Sequence, residues 1–391
     1  MRYADPCPAI LSIGTAVPPY QIAQSDVCTW VSDSLVASPA QRRWLNSLYT
    51  LSGIETRHSC LPDAVALIPH SRFAPGRPLD ETPTTAERMA IYQREAVQIG
   101  VAAAERALAM SHLPDAAADV THLIVVSCTG FFAPGLDLAI TQRLGLRPTV
   151  QRTLVGFMGC AAAFNGLRLA AQIVYGQPDA QVLVVCVELC TLHLQPGSDR
   201  IALTVASLFA DGAAACLVGA AGPSGDLLQI NRLHTQVLPD TEDAMAWQIG
   251  DHGFVMHLSP DVPRHVSTLA QSALATLLDG QPTPTFWAIH PGGRAIVDRL
   301  TELLQLAPVQ VAASYNVLRH YGNMSSPTIL FVLRELLDQL RTADIPASGV
   351  AAAFGPGLVT EMAHLTYVPP VAVRPIAVRQ PQLTEVPRYV A

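Results

Sequence analysis

The feature that most constrains this chain is a set of short apolar runs separated by helical patterns. "THLIVVSCTG" (121–130), "AQVLVVCVEL" (180–189), "TFWAIHPGG" (285–293) and "SGVAAAFGPGL" (348–358) lack the alternation of half-buried strands. They read as strands covered on both faces, the habit of parallel sheets packed between helices. The longest helical pattern spans 82–110, with Thr84 or Thr85 as N-cap and a glutamate in the first turn. Strands alternating with helices predict an α/β fold. The parts also recur in order. Strand (121–128), glycine with Cys160, helix (161–174) and strand (181–188) are echoed by strand (285–290), glycine with Asn323, helix (326–340) and strand (349–354). Pro327 suits a first helical turn. The echo predicts a duplicated α/β unit, with halves over 1–219 and 220–366. The Pro- and Val-rich tail, 367–391, reads either as an extended arm or as a disordered segment.

Composition narrows the function. Half of the 391 residues are apolar and 14% are charged, which calls for a large interior. A net charge of −7 gives no bulk attraction to nucleic acid or anionic membranes. All 24 basic residues are arginines, so lysine Schiff-base chemistry has no residue to use. No apolar run reaches the roughly 18 residues of a membrane span, and the N-terminus lacks a secretory pattern. Eight scattered cysteines make no disulfide framework, so a reducing cytoplasm is the expected compartment.

Three stretches carry candidate chemistry. In "FMGCAAAFNGLRLA" (157–170), Cys160 follows a glycine at a helix start. A buried thiol can be a small hydrophobe, but a helix N-terminus favours a thiolate, so both readings stand on this stretch alone. His290 in "WAIHPGG" ends an apolar strand before a glycine turn, at the sheet edge where open α/β folds place their sites. It reads equally as a hydrogen-bonded structural histidine. Asn323 in "YGNMSSP" reads by itself as a turn or capping residue. A zinc site from Cys186, Cys190 and His193 is rejected, because two strand residues four apart are separated by about 13 Å at roughly 3.3 Å per residue.

Together these stretches resemble the chalcone and stilbene synthase family, the type III polyketide synthases. The resemblance runs over roughly 8–366 and includes "GTAVP", "PGLDLAITQRLGLRP", "GCAAAFNGLRLA", "LFADGAAACLVG", "LPDTEDAM", "HPGG", "YGNMSS" and "FGPGL" in order. It implies the thiolase fold, a duplicated five-layered αβαβα unit, as a homodimer. It also implies a catalytic triad of Cys160, His290 and Asn323. The Cys160 thiolate, paired with protonated His290, would take an acyl starter from a thioester. Malonyl-CoA would then lose CO2, with His290 and Asn323 stabilising the enolate. Coenzyme A thioesters are the substrates, and no metal or redox cofactor is implied.

By the same resemblance Phe209 and Met256 are gatekeepers, Met256 standing where plant enzymes carry Phe. Cys128, Thr129, Cys190, His193, Trp247 and Ser325 line the cavity, and Ala295 contacts the pantetheine arm through its backbone. Trp247 should close the lobe for an aromatic starter, while Cys128, Thr129 and Cys190 either open space for a medium- or long-chain aliphatic starter, as in bacterial relatives, or only fill the core. Cys128, Ser325 and Glu188 match a network steering aldol ring closure, although a thiol is a weak donor there. The family's coenzyme A-gripping cations fall on Trp44, Ser47 and Leu51. Arg42, Arg43 and Arg57 are the nearby substitutes, and delivery by an acyl carrier protein is the other route. Two other readings share parts of the pattern: a priming ketoacyl carrier-protein synthase and a non-catalytic acyl-binding subunit. "HPGG" and "GNMSS" favour the polyketide branch over the first, and an intact triad argues against the second.

Overall fold

The apolar runs become strands at the centre of the molecule. A computed structural model describes residues 7–65, 71–111, 113, 115–222 and 225–370. Its strands in chain order are β1 (Pro8–Ala16), β2 (Tyr20–Ala23), β3 (Thr56–Ser59), β4 (His122–Ser127), β5 (Gln151–Gly156), β6 (Val182–Leu189), β7 (Asp211–Ala220), β8 (Leu227–Val237), β9 (Met245–Gly250), β10 (Gly253–Leu258), β11 (Phe286–Ile289), β12 (Ala347–Gly355) and β13 (Val359–Val368). Nine of them form one mixed sheet in the order β11-β12-β13-β8-β1-β7-β6-β4-β5, while β2 with β3 and β9 with β10 form separate pairs.

The predicted echo is built. In the first half β4 pairs in parallel with β6, and in the second β11 pairs in parallel with β12. Each parallel pair continues through an antiparallel strand, β7 or β13, and the two halves meet along β1 and β8. Helices Ala162–Gly176 and Thr328–Ala343 supply the central core together with both half-sheets. Helix Thr85–Ala109 covers the outer face of the first half, and helices Val262–Leu277 and Arg294–Leu304 cover the second. The layers therefore run helix, sheet, helix, sheet, helix.

Several boundaries follow from local chemistry. The long helix is capped by Thr84 in a capping box with Glu87. Pro327 is the N-cap of helix Thr328–Ala343 rather than its first residue. The predicted tail begins inside β13, since Tyr367 is fully buried and the strand ends at Val368; residues 371–391 lie outside the described residues. β6 ends at Leu189, so Cys190 and His193 sit in a 3-10 turn beyond the strand, not on it. No helix among the described residues is long and apolar enough to cross a membrane.

Candidate active site

The two central helices point their N-termini at one place, and each leaves its first N–H groups without a side-chain cap. Cys160 lies in the 3-10 turn Gly159–Ala161 that leads into the first. Gly159 has φ +67°, and a Cβ there would lie 2.1 Å from the Pro356 ring, so the turn closes onto "FGPGL" only with glycine. Ala161, Ala162 and Ala163 are buried in the central layer, which brings the thiol close to the second half.

Asn323 arrives differently. It stands five residues before its helix, in a bridge to Phe209: its N–H donates to Leu208 O (2.9 Å) and its O accepts from Ala210 N–H (2.9 Å). The side chain is fixed at both ends. Its Nδ2 donates to Gly292 O (3.0 Å), its Oδ1 accepts from Ser325 N–H (2.8 Å), and Cys160 Sγ lies 4.0 Å from that Oδ1. One amide hydrogen therefore stays free. His290 is 2% exposed at the end of β11, with its N–H on Ala352 O at 2.8 Å. Neither of its ring nitrogens has a hydrogen-bond partner. A buried imidazole with both nitrogens open costs stability, and it leaves both of them free to meet another group.

Burial sets the charge state. It pushes the Cys160 thiol up to about 11 against the pull of the Ser325 hydroxyl, and pushes His290 down to about 3. Both directions favour the uncharged forms of the two side chains. The ion pair is reached by moving one proton from Sγ to the ring, with no change in net charge.

Two cavities meet at Cys160, and Phe209, Met245 and Met256 also border both. Phe209 and Met256 thus stand between the two cavities, and Met245, which "LPDTEDAM" carries, stands with them without having been named from the sequence. The outer cavity, about 240 Å³, is an apolar tunnel past His290, Asn323 and Ala295. The inner one is only about 40 Å³ and is lined by Cys128, Thr129, Cys190, His193, Trp247 and Ser325. At roughly 10–15 Å³ per water that is room for a few waters, so the small residues do not open a chain-sized space in this conformation. Trp247 is pinned by its Nε1–H to Cys128 O (2.8 Å) and closes the wall. His193 accepts from Phe254 N–H at Nδ1 (3.0 Å) and sits 2.6 Å from Thr129 O at Nε2, which fixes the Nε2–H tautomer. Burial pushes it down to about 3, so it is a neutral wall residue.

Glu188 does not line the cavity. It is fully buried behind it, accepting from Ser326 Oγ (2.6 Å), Thr129 Oγ1 (2.7 Å) and Cys128 N–H (2.9 Å), and burial pushes it up to about 7. The Cys128 thiol faces Gly159 N–H at 3.1 Å instead of Glu188, and Glu188 bonds Ser326 in place of Ser325. The expected Cys128–Ser325–Glu188 relay is not formed. Arg57 is also displaced from its expected role. It is 5% exposed and donates to Ala206 O and Phe209 O, both at 2.7 Å, which holds the helix end beside the Phe209–Asn323 bridge. Arg42 is exposed and paired with Asp33 at 2.9 Å, and Arg43 is exposed on the same helix. Among the described residues no group of three or more His, Cys, Asp or Glu side chains could hold a metal ion.

A layered, duplicated α/β fold with a cysteine, a histidine and an asparagine joined across its halves defines a thioester-condensing enzyme. The comparisons narrow the class. The N-terminal domain family of chalcone and stilbene synthases matches residues 2–223, and the C-terminal domain family matches 229–369. The alpha-pyrone synthesis polyketide synthase-like Pks18 of Mycobacterium tuberculosis is 34% identical over 360 residues, covering 90% of this chain and 89% of that one. Type III polyketide synthase 21 of Oryza sativa subsp. japonica is 34% identical over 363 residues, 90% of this chain and 92% of that one. The crystal structure of PKS-I from the brown alga Ectocarpus siliculosus superposes with a TM-score of 0.85 at 30% identity, covering 94% of this chain and all of that one. The chain belongs to the chalcone and stilbene synthase family. It is a type III polyketide synthase, an acyltransferase that condenses thioesters with decarboxylation.

Proposed function

We propose that Cys160, His290 and Asn323 are the catalytic groups, and that the chain extends an aliphatic acyl starter with malonyl-CoA and closes the product as an α-pyrone. The observation that carries this is the convergence of one thiol, one partnerless imidazole and one fixed amide at the junction of a tunnel and a small inner cavity. Cys160 gives its proton to His290 as Sγ attacks the starter thioester, and the coenzyme A thiolate leaves with that proton. Malonyl-CoA then enters by the tunnel. Its C–CO2 bond breaks, and the electrons pass to the thioester oxygen, which accepts from His290 Nε2–H and the free Asn323 Nδ2–H. The enolate carbon attacks acyl-Cys160 and expels Sγ, so the extended chain returns to coenzyme A. No step moves electrons to or from an outside carrier, so no cofactor is assigned.

Trp247 supports an aliphatic over an aromatic starter, and the inner cavity supports a short one unless Met256 and the Cys128–Cys190 wall yield. The missing relay at Cys128 supports lactone closure, the product class that the Mycobacterium relative is named for. We further propose a homodimer formed along β5. It is the edge of the sheet, and Leu154 and Met158 beside it are 48% and 44% exposed. Eight free cysteines suit a reducing cytoplasm. The test is incubation with malonyl-CoA and starters from acetyl to palmitoyl, read by CO2 release and product mass. Pyrones from short aliphatic starters are expected. No CO2 release and no ring product with any starter would overturn the reading.

A further inference from the structure

Met245, Trp247 and Met256, which border the inner cavity, all lie on a hairpin that stands outside the main sheet: β9 and β10 pair only with each other. Trp247 and Met256 are direct cross-strand partners, so they share one face of it. A two-stranded ribbon has little stability of its own, so its position is set by whatever holds it. A cleft of about 570 Å³, bordered by Leu79, Gln195, Ile201 and Val255, shares His193, Val205, Trp247 and Met256 with the inner cavity. These four side chains form the partition between the two spaces. Met256 is a flexible thioether and goes where its strand carries it.

The hairpin is held at its tip by the start of the long helix Thr85–Ala109. The Thr85 N–H, one of the donors a helix start leaves unpaired, donates to Asp251 O at 2.8 Å. The Thr85 hydroxyl donates to Gly250 O and accepts from Gly253 N–H at 2.8 Å. Gly250 ends β9 and Gly253 begins β10, so one hydroxyl bridges both strands. One turn along the helix, Arg88 lies against Gly253, where φ is +99° and a Cβ would be 3.0 Å from Arg88 Cδ. Arg88 also donates to Leu192 O, in the turn that carries His193. Gln195 Nε2 adds a tie from the cleft side, donating to His193 O and Phe254 O, both at 3.1 Å.

We infer that Thr85 is a positioning residue that sets starter length. By latching the hairpin tip it keeps Trp247 and Met256 between the inner cavity and the cleft, which limits the acyl group on Cys160 to a short chain. The inference rests on the starter chemistry proposed above.

The experiment loads the full-length enzyme from an equimolar mixture of acetyl-CoA and octanoyl-CoA and reads the acyl groups on Cys160 by intact-protein mass. Thr85→Val keeps the side chain's shape and removes the bridging hydroxyl. The octanoyl-to-acetyl ratio is expected to rise about tenfold, the usual worth of one or two hydrogen bonds. Thr85→Ser, which keeps the hydroxyl, should hold the ratio of the unmutated chain. Amide hydrogen exchange in Thr85→Val should quicken over 245–258 and stay unchanged in β4 and β6. An unchanged ratio in folded Thr85→Val would overturn the inference, and faster exchange through the whole sheet would make Thr85 merely structural. Should Thr85→Val not fold, Gln195→Leu loosens the same hairpin from the cleft side. Its ratio should rise about threefold, and no rise would overturn the inference equally. Acyl loading with the expected shift, but no CO2 release from malonyl-CoA, would instead overturn the condensation reading and leave the latch standing.

Discussion

The two glycine–helix junctions of the site share an architecture and use it in different ways. In the first half, Cys160 sits in the turn that opens its helix, and position comes from backbone: a left-handed glycine, three alanines and contact with Pro356. In the second half, Asn323 stands away from its helix and is fixed by hydrogen bonds at its backbone and at both ends of its amide. On the roles proposed above, a nucleophile must move a proton and release its bond, which fits a thiol held by shape and left without a strong partner. An oxyanion donor must stay still, so it is tied down. The duplicated fold supplied the two positions, and local chemistry divided the labour.

This contrast can be broken step by step. Cys160→Ala should abolish covalent acyl loading, a loss on the order of 10⁴-fold or more by analogy with other catalytic nucleophiles, read by intact-protein mass. Loading equal to that of the unmutated chain would remove the nucleophile assignment. Asn323→Ala should keep loading while CO2 release from malonyl-CoA falls about 10²–10³-fold, the usual worth of one oxyanion donor. A comparable loss of loading would mean the asparagine also holds the thiol. Gly159→Ala tests shape alone. With a Cβ driven into Pro356 and φ in the left-handed region, it should lower stability by about 2–4 kcal/mol in chemical denaturation.

Smaller effects sharpen the picture. Arg57→Met leaves two carbonyls without donors but also removes a buried charge, so stability should shift by less than about 1 kcal/mol. Malonyl decarboxylation should nevertheless fall roughly tenfold as the Phe209–Asn323 bridge loosens, with loading intact. A large fall in melting temperature with both activities lost together would make Arg57 merely structural. The last test concerns pH rather than a substitution. Burial raises the folded thiol to about 11, so thiolate is scarce at pH 7 and grows with pH below that value. Alkylation of Cys160 by iodoacetamide should rise close to tenfold per pH unit from pH 7 to 9. A flat profile would reveal a preformed ion pair.

Much of this was legible in the sequence. The four apolar runs and the helices between them declared themselves through burial on both faces and through a capping box. The Ala-rich β7, "DGAAACLVGA", was quoted within a family motif but not among the strand runs, because alanine has low strand propensity. It is small because helices Ala162–Gly176 and Thr328–Ala343 crowd that part of the core. Cys160 and His290 were visible as residues beside glycine turns. The roles of Glu188 and Arg57 were not, since each is defined by partners 59 or more residues away. Burial was also hidden: a helix N-terminus can be read from sequence, but the desolvation that opposes a charge there cannot.

The Gly159–Pro356 contact has a consequence for inheritance. The nucleophile's turn belongs to one half and the ring that shapes it to the other, so neither half can drift alone at this seam. A side chain at 159 becomes admissible only once the ring at 356 is gone. Descendants of this chain should therefore change the two positions together or not at all, and a Pro356→Gly background is where Gly159→Ala should first become tolerable.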